Sequence, residues 1–216
     1  MTPLYSYALS ALASYVAGSI PCSLLLARFA KGIDLREHGS KNVGATNVAR
    51  TLGWKWGSLA LLLDALKGLG PTWLVPQCLV MDSDAKPHQM VLCGLAAVIG
   101  HTCPVWLKFK GGKGVATGLG VAAVLSPWAT LIAVGVFAAV FWARRSVSLA
   151  SILSAVAFAV AVLAWHWPEP FSSQGWSLSG FAIAVPTLIV VRHASNLGRL
   201  WRGEEQPLQV QSPAGK

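Results

Sequence analysis

The chain has 216 residues, 54% of them hydrophobic and 12% charged, where a soluble domain carries about 25% charged residues. With a mean hydropathy of +0.56, this excludes an ordinary soluble globule and indicates a polytopic membrane protein. The net charge of +9 does not mark a nucleic-acid partner, because the cations sit in short loops between apolar runs, the pattern that sets membrane orientation.

No linker, low-complexity block or internal repeat divides the chain, so one all-α domain over residues 1–216 is expected. Cys22, Cys78, Cys93 and Cys103 lack paired metal-ligand spacing and lie in or beside apolar runs. They read as packing residues, not as a disulfide framework or a zinc site. The first apolar run lacks the basic n-region and cleavage site of a secretory signal and is too long for one, so it is expected to be retained.

The first span runs from about Tyr5 to Phe29, with a kink at Gly18-Ser19-Ile20-Pro21 because proline removes a backbone donor. A polar loop follows, from about Ala30 to Trp56. Within it Arg36-Glu37-His38-Gly39-Ser40-Lys41-Asn42-Val43-Gly44-Ala45-Thr46-Asn47-Val48-Ala49-Arg50 is basic and glycine-containing. Ser40, Asn42, Thr46 and Asn47 offer neutral hydrogen-bonding groups, and Arg36, Lys41 and Arg50 offer charge. Gly39 and Gly44 permit tight turns, whose freed amides make anion-binding concavities. The alternative is a solvated basic loop that only fixes topology.

The second span covers about Gly57 to Val80. It holds Asp64 and Lys67, which share a helix face at i and i+3 and read either as a self-satisfying pair or as a border of the site. Met81 to Pro87 is a short loop, and the third span is about His88 to Leu107. His101, near its end, reads as a packed, hydrogen-bonded residue before it reads as a ligand. The second polar segment is Lys108-Phe109-Lys110-Gly111-Gly112-Lys113-Gly114-Val115-Ala116-Thr117-Gly118. A helix opening there points its N-terminal amides at the loop, with Lys113 as a mobile charge. The P-loop spacing is incomplete and no strand precedes it, so nucleotide binding is not expected.

The apolar run Gly114–Ala143 reads as a hairpin of two spans, 114–125 and 128–143, turning at Ser126-Pro127. The hairpin puts Lys108–Lys113 and Arg144-Arg145 on one side, as the positive-inside rule prefers. Its first arm is short for a bilayer and is expected to tilt or be protein-covered. The sixth span is about Val147 to Trp165. An external loop covers Trp167 to Gln174, and the seventh span is about Trp176 to Val191.

Seven helices place the N-terminus outside and the C-terminus in the cytoplasm. Apart from Lys67 and Lys86, every Lys and Arg falls toward the cytoplasmic side. Trp54, Trp56, Trp106, Trp142, Trp165, Trp176 and Trp201 fall near span ends, as an aromatic belt does. The third polar segment, Arg192-His193-Ala194-Ser195-Asn196-Leu197-Gly198-Arg199-Leu200-Trp201-Arg202-Gly203-Glu204-Glu205, leaves the last span. If the helix continues, His193 and Asn196 share one face, and Arg192, Asn196 and Arg199 form one stripe. The alternative is an interfacial basic helix against anionic lipid heads.

All three polar segments then face the cytoplasm. They supply Ser40, Arg50, Lys113, His193, Asn196 and two glycine-rich backbones to a site for one or two phosphorylated ligands. No acidic pair is available for magnesium, and no metal or other cofactor is expected.

Three motifs in this order resemble the bacterial acyl-phosphate:glycerol-3-phosphate acyltransferases, integral-membrane enzymes of phospholipid synthesis. They are Gly18-Ser19-Ile20-Pro21 with Gly39-Ser40-Lys41-Asn42-Val43-Gly44-Ala45-Thr46-Asn47 and Arg50; Lys110-Gly111-Gly112-Lys113-Gly114-Val115-Ala116-Thr117; and Arg192-His193, Asn196, Arg199-Leu200 and Gly203-Glu204. Lys41 stands where glycine is often expected.

The resemblance implies seven helices in the bacterial inner membrane and a cytoplasm-facing site. It implies transfer of an acyl group from acyl phosphate, not acyl-CoA, to the sn-1 hydroxyl of glycerol 3-phosphate. The catalytic set is then Ser40, Arg50, His193 and Asn196. The substrate-binding set is Gly39, Asn42, Gly44, Thr46, Asn47, Gly111, Gly112, Lys113, Gly114 and Arg192. Glu204 is structural, pairing with a loop arginine, and the tail 203–216 is flexible.

Acyl phosphate carries a good leaving group, so positioning and preorganised charge can supply much of the catalysis. His193 is a general-base candidate, or it only orients the acceptor while a substrate phosphate takes the proton. Partners are the two substrates and membrane lipids, with no obligatory protein. The main rival reading is a transporter or channel for a phosphorylated anion; a non-catalytic lipid-binding module is a third.

Overall fold

The computed structural model describes residues 3–79, 84–205 and 208, and among these there is no strand. The helices are α1 (Pro3–Ser19), α2 (Cys22–Lys31), α3 (Ala45–Leu52), α4 (Trp54–Leu79), α5 (Lys86–Thr102), α6 (Val115–Leu125), α7 (Pro127–Arg144), α8 (Val147–Trp165), α9 (Trp176–Arg192) and α10 (Ala194–Trp201), with a short 3-10 turn at Val105–Leu107.

Five stretches are long and apolar enough to cross a membrane: Leu4–Lys31, Trp54–Leu79, Lys86–Leu107, Pro127–Arg144 and Val147–Trp165. The first is broken at Ile20-Pro21, where proline supplies no amide to the helix ladder. A sixth unit is the pair α9–α10, bent by 59° at His193. Outside the expected spans, α3 is a helix in what reads as polar loop. Its short apolar face buries Val48 and Ala49, and a Cβ at Gly57 of α4 would lie 2.4 Å from Ala49 Cβ. Val80, Met81 and Asp82 of the expected second span and loop lie outside the described residues.

The 114–143 run is a hairpin. α6 and α7 meet at Ser126-Pro127 and return Arg144 to the end of the bundle where Lys113 lies. α6 has 11 residues, so at 1.5 Å per residue it is about 16 Å long, against a hydrocarbon core of about 30 Å. Its turn therefore needs protein cover. Ser126 is buried, its N–H donates to the Ala122 carbonyl at 2.8 Å, and its carbonyl accepts from the Thr130 amide at 3.0 Å. Those bonds satisfy the turn backbone inside the bundle.

Small residues let the helices approach closely. A Cβ at Gly18 of α1 would sit 2.2 Å from the Ala97 oxygen of α5, and one at Gly120 of α6 would sit 1.9 Å from the Ala65 oxygen of α4. The apolar core joins α5, α6, α8 and α9 through Val98, Val121, Phe158, Phe181, Val185 and Ile189. Leu4, Leu62, Leu131 and Val160 are exposed on the outside of the bundle, where lipid supplies the solvent. Of the belt tryptophans, Trp54, Trp106, Trp142, Trp165, Trp176 and Trp201 are exposed.

Candidate active site

Asn47 organises the first polar loop. Its side chain is buried, and its Nδ2 donates to the carbonyls of Leu35 (3.1 Å), His38 (3.0 Å) and Asn42 (2.9 Å). Its Oδ1 accepts from the Ser40 amide at 2.8 Å. One amide thus closes residues 35–42 into a cup above α3. The loop's own backbone thus engages both the oxygen and the nitrogen of this side chain, which the sequence reading sets among the substrate contacts. Gly39 has φ +57, and a Cβ there would lie 2.3 Å from Asn47 Oδ1. Its role is to admit Asn47. Gly44 precedes α3 in extended conformation as its N-cap.

Lys41 has φ +58, in the left-handed region that suits glycine. The conformation that glycine adopts freely is thus present here at a lysine. Asp34 anchors the loop's start, accepting from Arg28 at 3.1 Å and Arg36 at 2.6 Å. Hydrogen bonds from the Arg36 side chain and amide hold its carboxyl well below the usual carboxylate range.

In the second loop the glycines act otherwise than expected. The Gly111 and Gly112 amides donate to the carbonyls of Thr102 and His101, each at 3.1 Å, so neither is free for a ligand. A Cβ on Gly111 would lie 2.1 Å from the His101 oxygen, and one on Gly112 would lie 2.1 Å from His101 Nε2. They are glycine so that the loop can lie flat on the end of α5. Gly114, φ +83, turns the chain into α6.

Arg192 is tied to the same loop. Its Nη2 donates to the Gly111 carbonyl at 2.8 Å and the Gly112 carbonyl at 3.0 Å, and its Nε reaches Gly112 at 3.2 Å. Three of its five donors (Nε and both on Nη2) tie α9 to the loop. An open pocket of about 360 Å³ lies where the first two loops meet Arg192, lined by Lys41, Asn42, Lys110 and Gly111 among others.

Lys113 donates to Asn196 Oδ1, and Asn196 Nδ2 donates to Glu205 Oε1 at 2.7 Å. Glu205 also accepts from Ser148 Oγ at 2.6 Å and Arg199 Nε at 2.8 Å. Both ends of the Asn196 amide are therefore engaged, and it links Lys113 to Glu205. The bend at His193 also breaks the expected stripe: Arg192 turns to the loop glycines while Asn196 and Arg199 turn to Glu205.

Burial pushes the Lys113 ammonium down to about 8, with Glu205 opposing and Arg199, Arg192 and Arg50 adding to the fall. Burial is resisted at Glu205 itself, where hydrogen bonds from Ser148, Asn196 and Arg199 keep the carboxyl below its ordinary value. His193, just past α9, is buried, and burial and the Lys113 charge lower it to about 4. Its Nδ1 lies 2.8 Å from the Ile189 carbonyl, so Nδ1 carries the proton and Nε2 keeps its lone pair.

What remains unengaged is a short set. Among the described residues, the Ser40 and Thr46 hydroxyls and the Arg50 guanidinium make no hydrogen bond to protein. To these are added the Asn42 side-chain amide, Arg192 Nη1, His193 Nε2 and two of the three Lys113 donors.

The sequence model of the family described as glycerol-3-phosphate acyltransferase matches residues 8–203. The chain belongs to that family. A glycerol-3-phosphate acyltransferase of Anaeromyxobacter sp. (strain Fw109-5) is 45% identical over 199 residues, covering 92% of this chain and 94% of the relative. One of Myxococcus xanthus (strain DK1622) is 46% identical over 195 residues, covering 90% and 96%. The crystal structure of PlsY, an integral membrane glycerol 3-phosphate acyltransferase, in its glycerol 3-phosphate form superposes with a TM-score of 0.82 at 38% identity, covering 94% of this chain and 95% of that one. Its lysophosphatidic acid form gives 0.80 at 37% identity, with the same coverage.

This acyltransferase is thus a multi-pass membrane protein. Two residues of its polar cluster escaped the sequence reading. Glu205, not Glu204, is the carboxylate in the cluster; Glu204 pairs with Arg202 at 2.8 Å on the surface. Two adjacent glutamates after a basic helix give no signal for choosing between them. Gly203–Glu205, expected to be flexible tail, is tied down by these contacts, while 206–207 and 209–216 lie outside the described residues. Ser148, in the first turn of α8, is the other omission.

Proposed function

We propose that this acyltransferase moves a fatty acyl group from acyl phosphate to the sn-1 hydroxyl of glycerol 3-phosphate, giving lysophosphatidic acid and inorganic phosphate. The observation that carries the reading is the Lys113 ammonium, itself within reach of the Arg50 charge, acting on a buried His193 whose Nε2 keeps a free lone pair. Two anionic substrates need cations to bring them together, and a neutral acceptor hydroxyl needs a base. An activated acyl donor needs no enzyme nucleophile, and Ser40 has no base beside it to activate it.

In this reading the Ser40 and Thr46 hydroxyls hold the acyl-phosphate head. Arg50 and Lys113 clamp phosphate, with Lys113 on the acceptor. As the sn-1 oxygen bonds to the acyl carbon, its proton passes to His193 Nε2 and the bond from acyl carbon to phosphate oxygen breaks. The departing phosphate then takes the proton back from the imidazolium. Lys113, held by the Asn196–Glu205 relay, and Arg50 offset charge that moves to the leaving group.

We propose the same orientation as the cation distribution: seven crossings with α6 as a short one, N-terminus outside, site toward the cytoplasm. The deciding assay uses purified protein with palmitoyl phosphate and glycerol 3-phosphate, reading phosphate release, with palmitoyl-CoA as the other donor. Acceptor-dependent release from palmitoyl phosphate, lowered at least 100-fold in His193→Ala, is expected. Turnover with palmitoyl-CoA alone overturns the donor. Undiminished turnover by His193→Ala transfers the proton to a substrate phosphate.

A further inference from the structure

A second polar cluster lies beneath the site, and the chemistry above does not use it. Asp64 of α4 is 1% exposed. Its Oδ2 accepts from Ser23 Oγ of α2 at 2.7 Å, and its Oδ1 lies 3.0 Å from Lys67 Nζ. Lys67 Nζ also donates to the Ile20 carbonyl at 2.7 Å, at the break between α1 and α2. His101 of α5 is buried against the pair, its Nδ1 3.8 Å from Asp64 Oδ1. Neither His101 Nδ1 nor Asp64 Oδ1 has a hydrogen-bond partner within the protein.

The opposite edge of the His101 ring meets the second loop. Gly112 lies so close to Nε2 that no side chain fits between them, and the Gly112 amide donates to the His101 carbonyl. Lys113 is the next residue. A line of contacts thus runs from the broken first span, through Asp64, to the imidazole and the loop that carries Lys113.

An ion pair within a single helix is costly to bury when the helices already pack through small residues and an apolar core. Its cost is understandable if the carboxylate has a further task, and the group it faces is the imidazole under Gly112. We infer that His101 is a positioning residue for the Lys113 loop, and that Asp64, held by Ser23 and Lys67, fixes its ring against Gly112. The inference rests on the proposal that Lys113 grips the phosphate of glycerol 3-phosphate.

The test is calorimetric binding of glycerol 3-phosphate to full-length protein in detergent, with KM and kcat measured in parallel. His101→Ala leaves space under Gly112 and is expected to weaken binding and raise KM about tenfold, a loss of about 1.4 kcal/mol, while kcat stays within about threefold. His101→Gln, which refills the space and can reach Asp64, recovers most of the affinity.

Because His101→Ala can fail to fold, the second variant is Asp64→Asn/Lys67→Met. It removes both charges together and leaves no unpaired one, so it is expected to melt within a few degrees of wild type while binding glycerol 3-phosphate as weakly as His101→Ala. Wild-type affinity in this folded double variant overturns the positioning role and leaves only a structural ion pair. Wild type that binds no glycerol 3-phosphate overturns the Lys113 assignment itself, which is a separate failure.

Discussion

Asn47→Ala is the sharpest perturbation of the first loop. It removes three donations to carbonyls and one acceptance from the Ser40 amide. The Ser40 amide belongs to an exposed residue and can turn to water, whereas Leu35 is fully buried and its carbonyl is left without a partner. An orphaned buried acceptor costs about 1–3 kcal/mol, and each bond that water replaces costs about 0.5–1.5 kcal/mol. Counting water's replacement of some of these, the local loss is about 3–5 kcal/mol. It falls on the loop and on the small core that Leu35 and Val43 share with Leu24, Ala27, Val48 and Ala60, which is separate from the core of α5, α6, α8 and α9. At 1.36 kcal/mol per tenfold, the organised loop population drops by about a hundredfold or more. The assay is kcat/KM for acyl transfer alongside the melting temperature in detergent. Expected are a fall of at least 100-fold and a melting temperature near wild type. Asn47→Asp is the control. It keeps the acceptor for Ser40 but turns an anion toward three carbonyls, so it should be no better than alanine. Near wild-type kinetics in Asn47→Ala would refute the idea that this amide builds the loop.

Four further outcomes follow from the same geometry. Gly39→Ala, whose Cβ meets Asn47 Oδ1, should cost less in an Asn47→Ala background than alone, because the clash is gone and only backbone strain remains; a double-mutant cycle on kcat/KM measures the coupling. Lys113→Ala should raise KM for glycerol 3-phosphate, and an unchanged KM would remove Lys113 from the phosphate. Lys113 lies near 8, so in wild type the ammonium is lost as pH rises through 8 and KM should climb there; in Lys113→Arg the rise should vanish, and in Glu205→Gln, which removes the carboxylate that favours the ammonium, it should begin at lower pH. Gly120→Val, driving a side chain into the Ala65 carbonyl, should lower the melting temperature by several degrees, consistent with a loss of about 1–3 kcal/mol from overpacking.

Much of the frame was legible because it follows from periodicity and charge. The hairpin at Ser126-Pro127 could be inferred from the need to keep Lys113 and Arg144 at one end, and the break at Pro21 from a missing amide. The left-handed backbone at Lys41 suits the glycine often expected at that position. The internal contacts of the polar residues were not legible. Asn47, Arg192 and Asn196 are polar groups that look wholly available in a linear reading, and each is engaged in full or in part by backbone or side chains. Asn47 binds the nearby loop, while Arg192 and Asn196 bind residues about eighty positions away. Periodicity says nothing about which hydrogen-bond capacity is already used. Helix α3 was missed because eight residues with one short apolar face look like loop beside spans three times as long.

The distinction between engaged and free groups bears on how such a site works. A site at a membrane surface that holds two anions through long, flexible cations would bind well but place the reacting atoms loosely. Here Lys113 and the loop that carries it have a second attachment. Lys113 is held by Asn196, Asn196 by Glu205, and Glu205 by Ser148 of α8. The backbone beside Lys113 is held from above by Arg192 and from below by the end of α5. The groups left free include two hydroxyls, one imidazole nitrogen, part of a braced ammonium, two donors of the tethered Arg192 and the Arg50 guanidinium. Fixed charges can favour the transition state over the bound substrates, because they need not reorganise as charge moves to the leaving phosphate. Loosening a brace should then lower kcat where it moves a group that acts on the departing phosphate, and raise KM where it moves only Lys113. On that argument Glu205→Ala, which releases Asn196, Arg199 and Ser148 together, should change both. Ser148→Ala, which leaves Asn196 and Arg199 in place, should be several-fold milder in each.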